Sequence, residues 1–241
     1  MTTEELFRED AALHACEATV LAVDEAGIVL DRTVFYPTGG GQAGDTGTLT
    51  ATDGRVVAIA DTRKHKERPG AIAHVPAPGM SPLRAGDRVT AAIDVARRRA
   101  HMRFHTTTHL LCALVPHPVD GCSITAGYAR LDFHMSEPLD KEALTAGIAR
   151  YVAAAHPVRM RWISEAELDA NPGLVRSMSV QPPRGLGRVR VIDIEGVDLQ
   201  PCGGTHVANT ADIGAIVVTK IEKKSAMTRR VVLGFAEPGA G

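Results

Sequence analysis

Aromatic residues and long apolar runs are scarce in this sequence. Only 4% of its 241 residues are aromatic, which argues against a surface of aromatic side chains stacked on nucleobases. No stretch approaches the roughly 18 consecutive apolar residues that cross a bilayer, so we expect no contact with a membrane. The N-terminal segment, MTTEELFRED, is polar and acidic and lacks the apolar core of an export signal. We therefore expect a cytoplasmic protein.

Cysteines are few as well, and the chain has no strong charge of either sign. The four cysteines are Cys16, Cys112, Cys122 and Cys202. In a reducing compartment they are not expected to form disulfides, and a cysteine beside histidines is better interpreted as a metal ligand. The formal net charge is -1, so a nucleic-acid partner cannot be inferred from bulk charge and would need local basic patches.

The first part of the chain has the pattern of a small β-barrel or sandwich. Hydrophobic residues make up 44% of the chain and charged residues 23%, close to globular averages. Between residues 14 and 94, short apolar runs alternate with glycine-bearing turns, which is typical of many short strands. The predicted strands are ATVLAV, GIVL, TVFY, GTLT, RVVAIAD and RVTAAID, and the segment from Val75 to Pro82 is predicted to be a loop before the last of them.

A different pattern begins at Asp94, which can cap a helix of about five to six turns that runs to the proline at 116. Strands and helices then alternate. The predicted elements are YARLDF, a helix from Lys141 to Ala155, VRMRWI, the short helix SEAELDA, a loop from Gln181 to Gly187, and the strands RVRVIDI, GAIVVTKI and RRVVLGF. This order predicts an α+β fold in which a barrel-like domain, residues 1–94, precedes a domain of helices packed on an antiparallel sheet, residues 95–241.

Two histidines in the long helix form an H-x-x-x-H motif, His105 and His109. Residues four apart lie on one helix face, so two imidazoles can bind one cation. By itself the motif is also compatible with two partly buried histidines of an amphipathic helix. It is not the zinc protease signature, because Thr106 stands where glutamate would follow the first histidine.

The segment Gln200 to His206, QPCGGTH, gives a second pair with the same spacing, Cys202 and His206. Its proline and glycines predict a turn rather than a helix, and by itself the segment could be a glycine-rich turn with a buried cysteine. Two imidazoles from a helix plus a Cys/His pair from a loop nevertheless make a complete ligand set for zinc. The sequence therefore predicts one Zn²⁺ per chain, bound by His105, His109, Cys202 and His206.

Four segments resemble known sequences. HTTTHLLCALV, DLQPCGGTHVANTADIG and KIEKKSAMTRRV resemble the editing domain of alanyl-tRNA synthetase and, more closely, the freestanding AlaX family of alanyl-tRNA editing proteins; a related domain occurs in threonyl-tRNA synthetase. FYPTGGGQAGDTG resembles the glycine-rich motif of medium-length AlaX proteins. The resemblance covers almost the whole chain and identifies it as a member of that family.

This resemblance implies a trans-editing hydrolase that deacylates mischarged Ser-tRNA(Ala), and sometimes Gly-tRNA(Ala). It assigns zinc to the two ligand pairs above and places a glycine motif, Gly39, Gly40, Gly41 and Gln42, beside the substrate. From composition alone, these glycines indicate a tight turn between strands. The chain departs from the synthetase in one segment: DGCSIT, Asp120 to Thr125, lacks the glutamine found there.

Zinc-bound water is the expected nucleophile, since zinc lowers the pKa of water to about 7 and polarises a carbonyl. No residue is assigned as a general base. Four protein ligands would close a tetrahedral site, whereas catalytic zinc usually keeps one position open. We expect His206, late in a glycine loop, to be the loosest ligand.

Selection of serine over the smaller alanine requires a group that engages the serine hydroxyl. The polar candidates are Thr106, Ser123, Thr125 and Gln200, each of which is also a plausible ordinary helix, strand or turn residue. Basic clusters could contact tRNA phosphates or simply be solvated; they are Arg97–Arg99 with Arg103, Lys220, Lys223–Lys224 and Arg229–Arg230.

Two other functions stay open: a zinc-dependent esterase or amidase acting on a small metabolite, and a non-catalytic, zinc-stabilised RNA-binding module. The oligomeric state, monomer or homodimer, is open too.

Overall fold

The computed structural model describes residues 2–79, 83–178, 181–182, 185 and 187–236. Its contacts divide the chain into two compact units. One comprises the residues up to Gly39 together with Ala43–Arg99, and the other comprises Gly40–Gln42 together with the residues from Ala100 onward. The domain bounds predicted from the sequence, 1–94 and 95–241, remain a prediction.

The first unit is built on a closed antiparallel barrel of six strands. They are β2 (Ala15–Asp24), β3 (Gly27–Leu30), β5 (Gly47–Ala51), β6 (Val56–Lys64), β7 (Ile72–Pro76) and β8 (Arg88–Ile93), in the order β2-β3-β7-β6-β5-β8. The ten-residue β2 closes the barrel because its first half pairs with β8 and its second half with β3, with a register shift between Val20 and Ala22. Aliphatic side chains such as Leu30, Leu49 and Val89 fill the interior.

One predicted strand of this unit is wrong. Of TVFY, only Thr33 is in a strand: β4 (Arg32–Thr33), which pairs in parallel with β1 (Glu4–Glu5) ahead of a 3-10 turn at Leu6–Arg8. Side chains take the place of strand partners here, since the Tyr36 amide donates to Asp45 Oδ2 at 2.6 Å and the Phe35 amide to Thr33 Oγ1 at 3.0 Å.

The predicted loop from Val75 to Pro82 also needs correction at its start, because β7 includes Val75 and Pro76. Residues 80–82 of that loop lie outside the described residues, as do 183, 184 and 186 of the loop predicted from Gln181 to Gly187.

The second unit contains two antiparallel sheets and most of the helical residues. It contains α1 (Val95–Leu114) from Ala100 onward, β9 (Val119–Ile124), β10 (Ala129–His134), α2 (Lys141–Ala153), β11 (Val158–Ser164), α3 (Glu165–Ala170), β12 (Arg188–Ile194), β13 (Asp198–Pro201), β14 (Ile216–Ser225) and β15 (Thr228–Phe235), with 3-10 turns at Pro172–Leu174 and Thr210–Ile213. The four-stranded sheet has the order β14-β15-β10-β9 and the three-stranded sheet has the order β11-β12-β13. The predicted α+β class, with a barrel-like first part, is confirmed.

Helix α1, which begins within the first unit, is fixed by its cap and by its surroundings. The Asp94 side chain accepts the Arg97 amide at 3.0 Å, as the capping prediction required. All residues from Phe104 to Cys112 are buried, so this stretch is enclosed on every side rather than presenting one apolar face. Core residues of both sheets, among them Ile192 and Leu233, belong to the same cluster as Phe104.

No helix in the described part of the chain has the length and apolar character needed to span a bilayer. All four cysteines lie within the described residues and are free thiols.

Candidate metal centre

Helix α1 presents His105 and His109 on one face, with ring centroids 5.7 Å apart. Both side chains are buried. The position follows from the sequence, since the helix continues without glycine or proline through both residues and i,i+4 side chains project together.

The other pair comes from the turn after β13. Arg190 holds this turn through its Nη1 atom, which donates to the carbonyl of Cys202 at 2.7 Å and to that of Gly204 at 3.0 Å. The Gly204 amide donates to Cys202 Sγ at 3.4 Å. A β-carbon on Gly204 would lie 2.1 Å from Cε1 of His105 and 2.4 Å from its Nδ1, so the turn approaches the helix at a distance that only glycine allows.

The structure brings the four predicted ligands together. Their ligand atoms all lie within 4.8 Å of one another, and the cluster could hold a metal ion. Cys202 Sγ lies 3.4 Å from His105 Nε2 and 3.2 Å from His206 Nε2. The centre of the His206 ring lies 4.4 Å from that of His105, with the two rings tilted at 44°, and 4.8 Å from that of His109, in an edge-to-face arrangement.

Each histidine of the cluster is held at Nδ1 by a different side chain. His105 Nδ1 lies 2.8 Å from Gln42 Oε1, His109 Nδ1 lies 2.9 Å from Asp198 Oδ2, and His206 Nδ1 lies 3.1 Å from Thr106 Oγ1. An amide oxygen and a carboxylate only accept hydrogen bonds, so Nδ1 carries the proton in the first two rings. A neutral ring then keeps its lone pair on Nε2, the atom that faces the cluster.

The orientation of the Gln42 amide is itself fixed. Its Oε1 accepts the Thr205 amide at 3.1 Å, and its Nε2 donates to Thr205 Oγ1 at 3.0 Å. Asp198 is similarly supported, because Gln200 Nε2 donates to both of its carboxylate oxygens at 3.0 and 2.9 Å. Such supporting hydrogen bonds set the tautomer and the basicity of metal-binding histidines.

The electrostatics place Cys202 and His206 in metal-binding protonation states, whereas His109 keeps a proton that a bound metal would have to displace. Burial would raise the pKa of Cys202, but the neighbouring His105 and His206 rings hold it well below its usual value. Burial lowers the pKa of His206 to about 3, although the thiolate opposes this shift. Burial also disfavours charge on His109, yet its hydrogen bonds to Asp198 and Cys202 outweigh that effect and raise its pKa to about 10. The cluster thus combines a thiolate with a neutral His206, the forms in which these side chains bind metals.

Comparison with known proteins decides the family. The chain is 33% identical over 252 aligned residues to the alanyl-tRNA editing protein AlaX-M of Methanosarcina mazei, with 99% of each chain covered. It is 35% identical over 239 residues to AlaX-M of Methanosarcina barkeri, covering 95% of this chain and 97% of the relative.

The chain belongs to the AlaX-M family of alanyl-tRNA editing proteins. Part of a longer enzyme is similar as well: the alanine–tRNA ligase of a Synechococcus species is 37% identical over 213 residues, which cover 85% of this chain and 23% of the ligase. Residues 189–232 match the family described as the threonyl and alanyl tRNA synthetase second additional domain, and residues 7–97 match class II (A) tRNA synthetases. The resemblance seen in the sequence motifs is confirmed.

The glycine motif of this AlaX-M chain is divided between the two units. Gly39 accepts the Tyr36 hydroxyl at 2.8 Å within the first. Gly40 and Gly41, in the second, have φ of 57° and 84°, a conformation that glycine adopts without strain. A β-carbon on Gly41 would also lie 2.9 Å from Cys122 Sγ. The backbone conformation at Gly40 and Gly41 places Gln42 where its side chain contacts His105.

The predicted polar candidates occupy different positions. The Thr106 hydroxyl contacts the His206 ring and accepts the Val207 amide at 3.3 Å. Gln200 is hydrogen-bonded to Asp198, and the Thr125 hydroxyl closes a turn by donating to the Tyr128 carbonyl at 3.0 Å. Ser123 follows Cys122 on β9, so its side chain projects from the opposite face of the strand to that of Cys122. Their role in substrate binding remains a prediction.

Sequence reasoning missed three residues of this centre: Asp198, Thr205 and Gly204. Each lies within a few residues of Cys202, and the Asp-x-Gln and Cys-Gly-Gly-Thr-His spacings are visible in the sequence. No local pattern, however, indicates that Asp198 would reach a histidine 89 positions earlier in the chain.

Most of the predicted basic clusters serve the fold. Arg98 is buried against Asp45, Arg103 donates to the Ile213 carbonyl and lies over the Phe235 ring, and Arg230 pairs with Asp132 at 2.7 Å. Lys223 and Lys224 are exposed near the tip of the β14–β15 hairpin, as is Arg99 near the start of α1.

Proposed function

We propose that this AlaX-M protein edits by hydrolysing the ester that joins serine to tRNA(Ala), with Gly-tRNA(Ala) as a second substrate, and that the reaction depends on zinc. Alanyl-tRNA editing follows from family membership. The observation that supports zinc-dependent hydrolysis is the convergence of His105, His109, Cys202 and His206, with the rings oriented by Gln42, Asp198 and Thr106.

The geometry and chemistry of the four side chains fit zinc. A tetrahedral ion with Zn–S of about 2.3 Å and Zn–N of about 2.0 Å requires S···N separations of about 3.5 Å. The two Sγ···Nε2 separations of 3.4 and 3.2 Å are close to that value. A mixed thiolate and imidazole set suits zinc better than it suits magnesium or calcium, which prefer oxygen ligands. Bound zinc would supply Lewis-acid polarisation of the ester carbonyl.

Residues around the cluster hold the proposed metal ligands in position. Gln42 and Asp198 fix the rings of His105 and His109, and Gly204 lets the Cys202 turn lie against the helix. An aminoacyl ester needs little activation beyond orientation and a polarised carbonyl, so such rigid placement accounts for much of the expected rate. No side chain is assigned as the general base.

Selectivity for serine requires a polar group that is left unpaired when alanine binds. We propose Thr106 for this role, since its hydroxyl contacts the ring of His206, a member of the cluster. Ser123, Thr125, Gln200 and the glycine motif Gly39–Gln42 are proposed to border the same substrate site.

The test measures deacylation of Ser-, Gly- and Ala-charged tRNA(Ala), with and without a chelator, and again after zinc is restored. We expect rapid loss of serine, slow loss of alanine, and recovery of activity with zinc. Cys202→Ala should abolish turnover, whereas Cys16→Ala, which removes a thiol of the barrel strand β2, should not.

Two outcomes would contradict the proposal. Equal efficiency on free amino-acid esters would assign a small-molecule esterase. A protein that binds zinc and tRNA but turns over no substrate would be a zinc-stabilised RNA-binding module.

A further inference from the structure

The hairpin between β6 and β7 concentrates positive charge on the barrel. Its sequence from Arg63 to Arg68 is RKHKER, four basic residues in six, in a chain whose net charge is -1. We call these six residues the basic hairpin. Neither the barrel core nor the pairing of its strands accounts for this concentration of charge.

The basic hairpin is held in one conformation by a buried histidine. The Nδ1 atom of His65 lies 3.2 Å from the amide nitrogens of both Glu67 and Arg68 and accepts from them, while Nε2 lies 3.1 Å from Asp24 Oδ2. Backbone bonds close the same turn, from the His65 amide to the Ala71 carbonyl at 2.9 Å and from the Ala71 amide to the Arg68 carbonyl at 3.0 Å. A ligand that binds here would not have to order the loop.

Ion pairs leave two of the four cations available. Arg63 pairs with Asp61 at 2.6 Å, and Arg68 pairs with Asp24 at 3.0 Å. Lys64 and Lys66 are both exposed, and within the described residues neither forms an ion pair. Glu67 is the acidic residue of the hairpin itself.

A cavity of about 250 Å³ adjoins the basic hairpin. Its lining includes Lys64, His65, Gly70 and the Arg8–Glu5 ion pair, so the free positive charge at its edge is that of Lys64. A concave surface bordered by the unpaired Lys64 ammonium group suits an anionic group of the size of a phosphate, because the Glu5 carboxylate that also lines it is already paired with Arg8.

We propose that the basic hairpin and this cavity bind the sugar–phosphate backbone of the RNA substrate. The hairpin contains no Phe, Tyr or Trp and its His65 is buried, so no ring is available to stack on a base, and its contacts would position the RNA without reading its sequence. The identity of the RNA rests on the proposed function; the phosphate chemistry does not.

The test is the double variant Lys64→Ala/Lys66→Ala, with Arg84→Ala/Lys141→Ala as a control that removes the same charge from two exposed positions outside the basic hairpin. The probe is uncharged, fluorescently labelled tRNA(Ala), titrated by anisotropy at several salt concentrations, so no turnover is needed. Each phosphate contact contributes about -0.9 to the slope of log affinity against log salt concentration. At about 0.15 M salt, this corresponds to about a fivefold gain in affinity per contact. We expect Kd to rise about 10- to 30-fold and the slope to fall by about 2.

The control variant should change Kd less than about threefold. In deacylation of Ser-tRNA(Ala), the Lys64/Lys66 variant should have a higher KM than the wild type and an unchanged kcat. Wild-type affinity and slope, or a loss no larger than that of the control, would overturn the proposal. The proposal would also be overturned if the Lys64/Lys66 variant lost binding to anionic phospholipid vesicles but bound tRNA like the wild type. The surface would then be a membrane-binding one. If the Lys64/Lys66 variant showed the expected salt-dependent loss of tRNA affinity but the wild type hydrolysed no aminoacyl-tRNA, the RNA-binding surface would be supported and the proposed function refuted.

Discussion

Substitution of Gly204 by alanine is the sharpest test of the metal centre. The added methyl group would lie 2.1 Å from Cε1 of His105, whereas carbon atoms in contact need about 3.5 Å. Either the His105 ring or the Cys202 turn must therefore move by more than about 1 Å. Metal–ligand distances tolerate only about 0.2 Å of error, so the variant cannot keep both ligands in place. We expect zinc affinity to fall at least about 100-fold and stability to fall by about 1–3 kcal/mol, the usual cost of overpacking.

The assay is competition for zinc against a chromophoric chelator, together with the zinc content of the purified protein and thermal unfolding of the metal-free form. Gly127→Ala is the matched control, because a β-carbon at Gly127 meets nothing within 4 Å. A Gly204→Ala protein that binds zinc with wild-type affinity would show that the close approach of the turn to the helix is not what organises the site, and would refute the reasoning.

Three further predictions concern the surroundings of the cluster and the barrel. Gln42→Met removes the acceptor of His105 Nδ1 and should weaken zinc binding about 10- to 100-fold with unchanged circular dichroism; equal affinity would mean that the ring is oriented by other contacts. Thr106→Val should narrow the ratio of kcat/KM between Ser- and Ala-tRNA(Ala), and an unchanged ratio would remove Thr106 from selectivity. Burial lowers the pKa of His74 from 6.5 to about 4, so between those pH values the unfolded chain binds a proton that the folded barrel does not. Stability should therefore be full above about pH 6.5 and fall by up to about 3 kcal/mol as the pH drops. Denaturant titrations should show a shallower pH dependence in His74→Gln, and identical slopes would contradict the assignment.

Local patterns in the sequence predicted those elements whose signals are local. Helix α1 followed from the Asp94 cap and a long stretch without glycine or proline, and β12 followed from the alternation in RVRVIDI. The short strands β9 and β13 were missed, because a glycine in one and a proline in the other resemble loop signals. TVFY failed as a strand for the opposite reason: its residues are β-prone, but side chains of distant residues satisfy their backbone groups.

The sequence by itself determined which side chains could bind a metal, since four-residue spacing on a helix and a Cys-Gly-Gly-Thr-His turn are local properties. Only the tertiary structure decided how those side chains are held. Gln42 reaches His105 across 63 positions and Asp198 reaches His109 across 89. Such pairings depend on where separate elements pack, and hydrophobic periodicity specifies which face of an element is buried but not which distant residue it meets.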